Sequence, residues 1–245
     1  MARPLRIEVA NTWYHVMNRG HRGQALFGND TDRRRFMGGV AELPERDGLE
    51  VHAFVLMENH YQLLVRTGAS GNLSAAIRWL NVSYAVKFNW AHRCRGTVFQ
   101  GRFKAVLIQK ENQAVAVARY IHLNPVRVGG LGLSKSDKRR ARVLGCARPV
   151  QELIRRRVQT LREHPWSSWR VYSGAEPRPG WLETSVIGSC CGERTRTGRV
   201  AALRAYTEQP IRQGVLASPW EEQRRHRAGR GIVGAEIVER TEREP

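Results

Sequence analysis

Short apolar-rich segments and segments with a helical period follow one another along the first 125 residues. Four short apolar-rich runs predict strands, at residues 12–18, 51–57, 60–66 and 103–109. Three runs repeat apolar residues every three or four positions and predict helices, at about 30–43, 72–91 and 111–123. The order β-α-β-β-α-β plus a helix predicts an α+β fold, the ferredoxin-like (split βαβ) arrangement with helices on one face of an antiparallel sheet. The other face is expected to be free for a ligand or for the last helix.

Capping and helix-breaking residues set the expected ends of these elements. Asp30 or Thr31 is predicted to cap the first helix, and Pro44 is expected to lie beyond its end. Pro125 is expected to stop the third helix, because proline in a helix interior removes a hydrogen bond and clashes with the preceding turn.

The rest of the chain is more basic and less regular. Residues 133–163 form a strongly basic stretch whose second half has a helical pattern, and a further helix is predicted at 200–209. We therefore expect one domain over residues 1–182, with the basic stretch inserted in it. Residues 183–245 are expected to form a C-terminal appendage that is helical or partly flexible.

The charge of the chain narrows the class of partner. The 245 residues include 41 Lys and Arg against 22 Asp and Glu, a net charge of +19. Such an excess favours nucleic acid, and to a lesser degree an anionic membrane surface, as the partner. Nearly all of it lies within residues 61–170, since residues 1–60 are neutral overall. No run reaches the roughly 18 apolar residues that a membrane span needs, so we expect no membrane segment and a cytoplasmic, nucleoid-associated protein.

Two pairs of side chains carry candidate chemistry. His60 and Gln62 lie on one face of the third strand, because strand side chains alternate. An imidazole beside an amide oxygen can hold a hard divalent cation, and an ordinary hydrogen-bonded histidine is the alternative. Tyr120 and Asn124 lie together near the end of the third helix. The asparagine oxygen is a candidate third ligand, whereas packing alone is the alternative explanation for the tyrosine.

Five ordered motifs resemble those of one protein family. MENHYQLLV, at 57–65, resembles the M-x-N-H-x-H-L-L motif of HUH single-tyrosine transposases. ARYIHLNPVRVGGL, at 118–131, resembles the Y-x-x-x-N-P-V-R-A-G segment of their REP-associated branch. Three more segments resemble that branch in the same order: YHVMNRGHRG, TVFQGRFKAVLI and HPWSSWRVYSG. The resemblance spans about residues 12–182, and the basic stretch at 133–163 resembles an insertion into the family pattern.

The resemblance implies a metal-dependent endonuclease and strand-transferase for single-stranded, hairpin (REP-like) DNA. Tyr120 would be the catalytic nucleophile and form a 5′-phosphotyrosine, and His60, Gln62 and Asn124 would bind Mg²⁺ or Mn²⁺. A monomer is favoured and a dimer is possible, and no nucleotide cofactor is expected. Five basic residues in these motifs are expected to contact DNA phosphates: Arg19, Arg22, Arg102, Lys104 and Arg127.

The chain departs from the family motif at one position, where Gln62 replaces the second histidine. An amide oxygen is a harder and weaker ligand than imidazole, so metal affinity is expected to fall and preference to move toward Mg²⁺. This departure supports a second hypothesis, a domesticated hairpin-DNA-binding protein with weakened or lost cleavage. An RNA-binding protein is a third possibility, which the absence of the aromatic-rich strand motif of RNA-recognition domains disfavours.

Overall fold

The computed structural model describes residues 8–109, 111–134, 137, 149–190 and 192–214. Four strands form one antiparallel sheet in the order β2-β3-β1-β4. They are β1 (Trp13–Arg19), β2 (Glu50–Leu56), β3 (His60–Arg66) and β4 (Lys104–Ile108). Helix α1 (Asp30–Asp47) connects β1 to β2, and α2 (Leu73–Ala91) connects β3 to β4. The predicted α+β, ferredoxin-like order is confirmed.

Helices α1 and α2 cover one face of the sheet. Alternate strand residues, among them Val16 and Leu63, point into a core that also contains Phe36 of α1 and Leu80 of α2. The two helices approach closely at Gly39, where a Cβ atom would lie 2.8 Å from a methyl carbon of Leu80. A glycine at this position therefore allows the two helices to pack at short range.

Helix α3 (Glu111–His122) covers the opposite face, which sequence analysis had left open to either a ligand or the last helix. Trp13 and Leu64 of the sheet pack against Val117 and Ile121 of α3. A short 3₁₀ turn, Asn124–Val126, follows α3 directly. Four more helices complete the described chain: α4 (Gln151–Glu163), α5 (Trp169–Tyr172), α6 (Ser185–Ser189) and α7 (Arg196–Gln213).

The predicted ends of α1 were wrong at both termini. Asn29 is the N-cap, and its side-chain oxygen accepts a hydrogen bond from the Asp32 backbone N–H at 3.0 Å. The helix also continues through Pro44 to Asp47, and it ends at Gly48 in a left-handed conformation with a φ of 63°. The Gly48 N–H donates to the Pro44 carbonyl, so the last turn is closed despite the proline.

The helical half of the basic stretch packs into the apolar cluster that lies between α3 and the sheet. Residues 135–136 and 138–148 lie outside the described residues. In α4, buried Leu161 joins the apolar cluster under α3, and the Arg157 side chain donates to the Leu131 carbonyl at 2.8 Å. Arg162 pairs with Glu208 of α7, which also contributes Ile211 to this cluster. These arginines of α4 thus have structural partners within the chain.

Within the described part of the chain, no helix is both long and apolar enough to cross a bilayer.

Candidate active site

The strand and helix motifs meet on the α3 face of the sheet. Gln62 shares a strand face with Leu64, which packs against α3, and Asn124 begins the turn that follows α3. The Gln62 side-chain nitrogen donates to the Asn124 side-chain oxygen at 2.9 Å. Both side chains are buried. Two segments that are 62 positions apart in the sequence are therefore joined at one point.

Helix carbonyls fix the orientation of both amides. Asn124 Nδ2 donates to the carbonyls of Tyr120, at 3.0 Å, and of Ile121, at 3.3 Å. The Asn124 Oδ1 atom must therefore face Gln62, and Gln62 can donate a hydrogen bond to it only through its own NH₂ group. This turns Gln62 Oε1 toward His15 Nε2, 2.8 Å away, so that this ring nitrogen carries the proton.

His15 was missed by the sequence analysis. It lies on β1, is buried, and lies on the same strand face as Trp13. Burial lowers its pKa to about 4, although the hydrogen bond to Gln62 opposes that shift, and the ring is neutral near pH 7. The available signal was a polar residue at a core-facing position of a strand; the pairing of β1 with β3 that places it beside Gln62 was not predicted.

Tyr120 lies half-buried beside this hydrogen-bonded pair. Its ring meets the His15 ring edge-on, with centroids 5.8 Å apart. The Arg127 guanidinium lies over the Tyr120 ring, 4.2 Å from the ring centroid. A cation held over an aromatic face restricts ring movement. Arg127, which was predicted to contact DNA, therefore contacts the predicted nucleophile itself.

His60 lies at the first position of β3, two residues from Gln62 on the same strand face. Its Nδ1 is 3.0 Å from the Asn59 side-chain oxygen, so Nδ1 donates and the lone pair is on Nε2. A hydrogen bond of this kind orients histidines that bind metals through the other nitrogen.

The predicted ligand set is chemically suited to a divalent cation. It offers one imidazole nitrogen, of His60, and two amide oxygens, of Gln62 and Asn124. Each amide oxygen accepts one hydrogen bond and has a second lone pair. Across the described residues, no group of three or more His, Cys, Asp or Glu side chains is placed to hold a metal. A cation bound by His60, Gln62 and Asn124 alone would have neutral ligands only.

Comparison with known proteins places most of this architecture in one family. The family model described as "Transposase IS200 like" matches residues 8–124, a range that contains all four strands and His60, Gln62, Tyr120 and Asn124. Residues 8–124 belong to the IS200-like transposase family. The transposase match ends before Arg127 and before α4–α7.

Other comparisons are more distant. A solved structure of a "REP associates tyrosine transposase bound to a REP hairpin" is 14% identical to this chain; the match covers 76% of this chain and 93% of that chain, with a TM-score of 0.49. No curated protein matches the chain.

Exposed cations gather at one end of the transposase sheet. Arg19 ends β1 opposite His60 in the strand register, and Lys104 begins β4 beside the same end of β1. The loop that contains Arg102 is held there, because the Gln100 N–H donates to the Arg19 carbonyl at 2.9 Å. Arg22 lies in the turn after β1, with a positive φ of 51°. Four of the five predicted DNA contacts thus surround the end of the sheet where β3 begins.

The turn after β1 leaves no room for a side chain at Gly20. Gly20→Ala should destabilise the protein by about 1–3 kcal/mol, because the added Cβ would lie 2.2 Å from the Gln24 carbonyl oxygen. Urea unfolding measures the change. Gly38→Ala is the matched control, since no atom lies within 4 Å of its added Cβ, and it should be neutral or stabilising by up to about 1 kcal/mol. Equal stability of the Gly20 variant and the parent would contradict the expectation.

Proposed function

We propose that this protein is a metal-dependent endonuclease and strand-transferase that cleaves single-stranded DNA beside a hairpin. The observation that carries the proposal is the hydrogen bond between Gln62 and Asn124, which joins the strand that carries His60 and Gln62 to the end of the helix that carries Tyr120. Membership of residues 8–124 in the IS200-like transposase family supports the same reaction class.

In the proposed reaction, Tyr120 Oη attacks a backbone phosphorus. The P–O3′ bond breaks, the upstream strand leaves with a 3′-OH, and the downstream strand stays joined to Tyr120 through its 5′-phosphate. The phenol loses one proton and the 3′ oxygen gains one, so the step is balanced. Attack by a 3′-OH on the phosphotyrosine reverses the step, and rejoining needs no ATP.

The chain's own side chains prepare this attack. Arg127 and His15 hold the Tyr120 ring from two sides, and Asn124 fixes the end of the helix that carries it. A divalent cation bound by His60, Gln62 and Asn124 would supply positive charge at the phosphate. His15 donates to Gln62 and so keeps its amide in one orientation.

Hairpin DNA is the proposed partner because of the distribution of charge. Residues 61–130 contain ten basic residues and a single acidic residue, Glu111. The exposed cations at the end of the sheet are placed where a phosphate backbone approaching His60 would pass. Binding of this kind weakens steeply with added salt, because each phosphate contact releases a counterion.

A DNA cleavage assay tests the proposal. The protein is incubated with hairpin DNA that carries single-stranded flanks, in Mg²⁺ or Mn²⁺. DNA labelled at its 3′ end should become covalently attached to the protein, whereas a 5′ label should be released as a free strand. Attachment of the 5′-labelled fragment instead would reverse the assigned chemistry, and binding without any adduct would favour the second candidate.

The second candidate is a domesticated hairpin-DNA-binding protein with weak or absent cleavage. One observation favours it: both polar atoms of Gln62 already have partners within the chain, His15 and Asn124. A cation must share the Gln62 oxygen with His15.

Gln62→His distinguishes the two candidates. If weak cation binding limits cleavage, the imidazole should raise adduct formation at least severalfold, because imidazole is the stronger ligand. The adduct is quantified on denaturing gels over a range of Mn²⁺ concentrations. Gln159→His adds the same ring at an exposed position of α4, and it should change neither the adduct yield nor the Mn²⁺ requirement. An unchanged Mn²⁺ requirement and adduct yield in Gln62→His would reject the account of weakened cleavage through Gln62.

A further inference from the structure

The outer surface of α2 carries an apolar stripe that the proposed active site does not use. Arg78, Val82, Val86 and Trp90 are spaced four residues apart and share one side of the helix. Val82 is 55% exposed, Val86 is 65% exposed and Trp90 is 82% exposed. An almost fully exposed tryptophan is unusual, because tryptophan is normally mostly buried. We call these four residues, together with Lys87, Arg93 and Arg95, the α2 outer face.

The charges on this surface are of one sign. No Asp or Glu occurs from residue 59 to residue 110. As far as the described residues go, Arg78, Lys87, Arg93 and Arg95 form no ion pair, whereas Arg33 of α1 pairs with Asp30 at 3.0 Å. The cations of the α2 outer face are thus uncompensated within the fold, and they complement a polyanion.

The α2 outer face is continuous with the basic end of the sheet. Helix α2 begins after the last residue of β3 and ends before β4, so Trp90 lies toward the end of the sheet where β3 begins. The segment after α2 is tied to that end, since the His21 N–H donates to the Val98 carbonyl at 2.9 Å. Trp90 and Tyr120 are on opposite sides of the sheet, and Arg19 and Lys104 lie at the end between them.

We propose that the α2 outer face binds unpaired nucleotides that flank the hairpin, with Trp90 stacking on a base. This inference rests on the proposed function. Exposed aromatic rings interleaved with basic side chains are the composition that binds single-stranded nucleic acid, because every base has a stacking face and every linkage a phosphate. Lys87, Arg93 and Arg95 supply the phosphate contacts. An apolar protein partner would instead leave these cations desolvated and unpaired, which is costly.

The proposed path leads a single strand from one side of the sheet to the other. Bases bind along α2, the backbone crosses the end of the sheet past Arg19 and Lys104, and the strand reaches Tyr120 on the α3 side. Trp90 then determines how much unpaired flank the protein prefers, and it has no part in the reaction at phosphorus.

Binding of two DNA probes tests this assignment. One probe is a hairpin with an unpaired flank of about ten nucleotides, and the other is the same hairpin with blunt ends. Both are measured by fluorescence anisotropy in a Tyr120→Phe background, so that neither is cleaved. Trp90→Ala should weaken binding of the flanked probe about tenfold and leave the blunt probe within about twofold. Trp90→Phe should keep most of the affinity, because it retains an aromatic face.

Val150→Ala is the control, since Val150 is also a largely exposed apolar residue, at 69%, and is the N-cap residue of α4. It should change neither probe. Equal effects of Trp90→Ala on both probes, or no effect on either, would overturn the stacking assignment. A dimer in the parent that becomes a monomer in Trp90→Ala, by sedimentation, would assign the surface to a second copy of the chain and also overturn it. Failure of the parent to bind even the blunt hairpin would instead overturn the proposed function.

Discussion

Tyr120→Phe should abolish the covalent protein–DNA adduct and lower cleavage by roughly 10⁴-fold or more, the scale of loss for a missing nucleophile. Phenylalanine lacks the attacking oxygen but keeps the ring, so its contacts with Arg127 at 4.2 Å and with His15 at 5.8 Å should remain. The free energy of unfolding should therefore change by less than about 0.5 kcal/mol. Denaturing gels of 3′-labelled hairpin DNA measure the adduct, and urea unfolding measures stability.

Tyr206→Phe is a close control for this substitution. Tyr206 of α7 is also half-exposed and has an arginine over its ring, since Arg119 lies 4.1 Å from the ring centroid. The control should form as much adduct as the parent. A covalent adduct in Tyr120→Phe, or its loss in Tyr206→Phe, would contradict the assignment of Tyr120 as the nucleophile.

Acid should destabilise the protein by about 4 kcal/mol between pH 7 and pH 5, through two buried histidines. Burial lowers the pKa of His15 to about 4 and that of His122 to about 3, from an ordinary value of 6.5. Each folded-state pKa lies below the unfolded value, so stability is full above pH 6.5. It is lost below that pH at about 1.4 kcal/mol per unit and per histidine, down to pH 4 for His15 and pH 3 for His122.

Urea unfolding at pH 7 and pH 5 measures this loss, and a substitution assigns part of it. His122 has its Nε2 2.8 Å from the Ser168 hydroxyl, and His122→Gln retains a polar partner there while removing one titrating group. The loss of stability between pH 7 and pH 5 should fall by about 2 kcal/mol. His21→Gln changes a histidine outside the core and should leave the loss as it was. An unaltered pH dependence in His122→Gln would show that this ring is not a source of acid sensitivity.

Most of the fold followed from periodicity along the chain. Strand β3 and helix α2 were predicted to within one residue at each end, because the strand is a short apolar run that follows a turn and the helix has a long apolar stripe. The capping of α1 was mispredicted for a local reason. Asn29, Asp30 and Thr31 are all good capping residues, and only the backbone geometry selects Asn29.

The contacts within the candidate site were less predictable than the residues proposed for it. His60, Gln62, Tyr120 and Asn124 were predicted as site residues because each belongs to a recognisable local pattern. The orientation of Gln62 depends on His15, and the position of Arg127 depends on the turn after α3. Such contacts join residues of different elements, and neither strand register nor helix orientation can be read from a local pattern.

The hydrogen bonds from β1 to α3 all run in one direction. His15 donates to Gln62, Gln62 donates to Asn124, and Asn124 donates to the last carbonyls of α3, which a helix end leaves without an intrahelical partner. Aligned donors of this kind polarise one another along the series. A glutamate at position 62 would present oxygen to oxygen at Asn124 and break the sequence of donors, although it differs from glutamine in a single heavy atom. The Gln62 amide thus connects strand β3 to the Asn124 side chain, which in turn caps the carbonyl end of the helix that carries Tyr120.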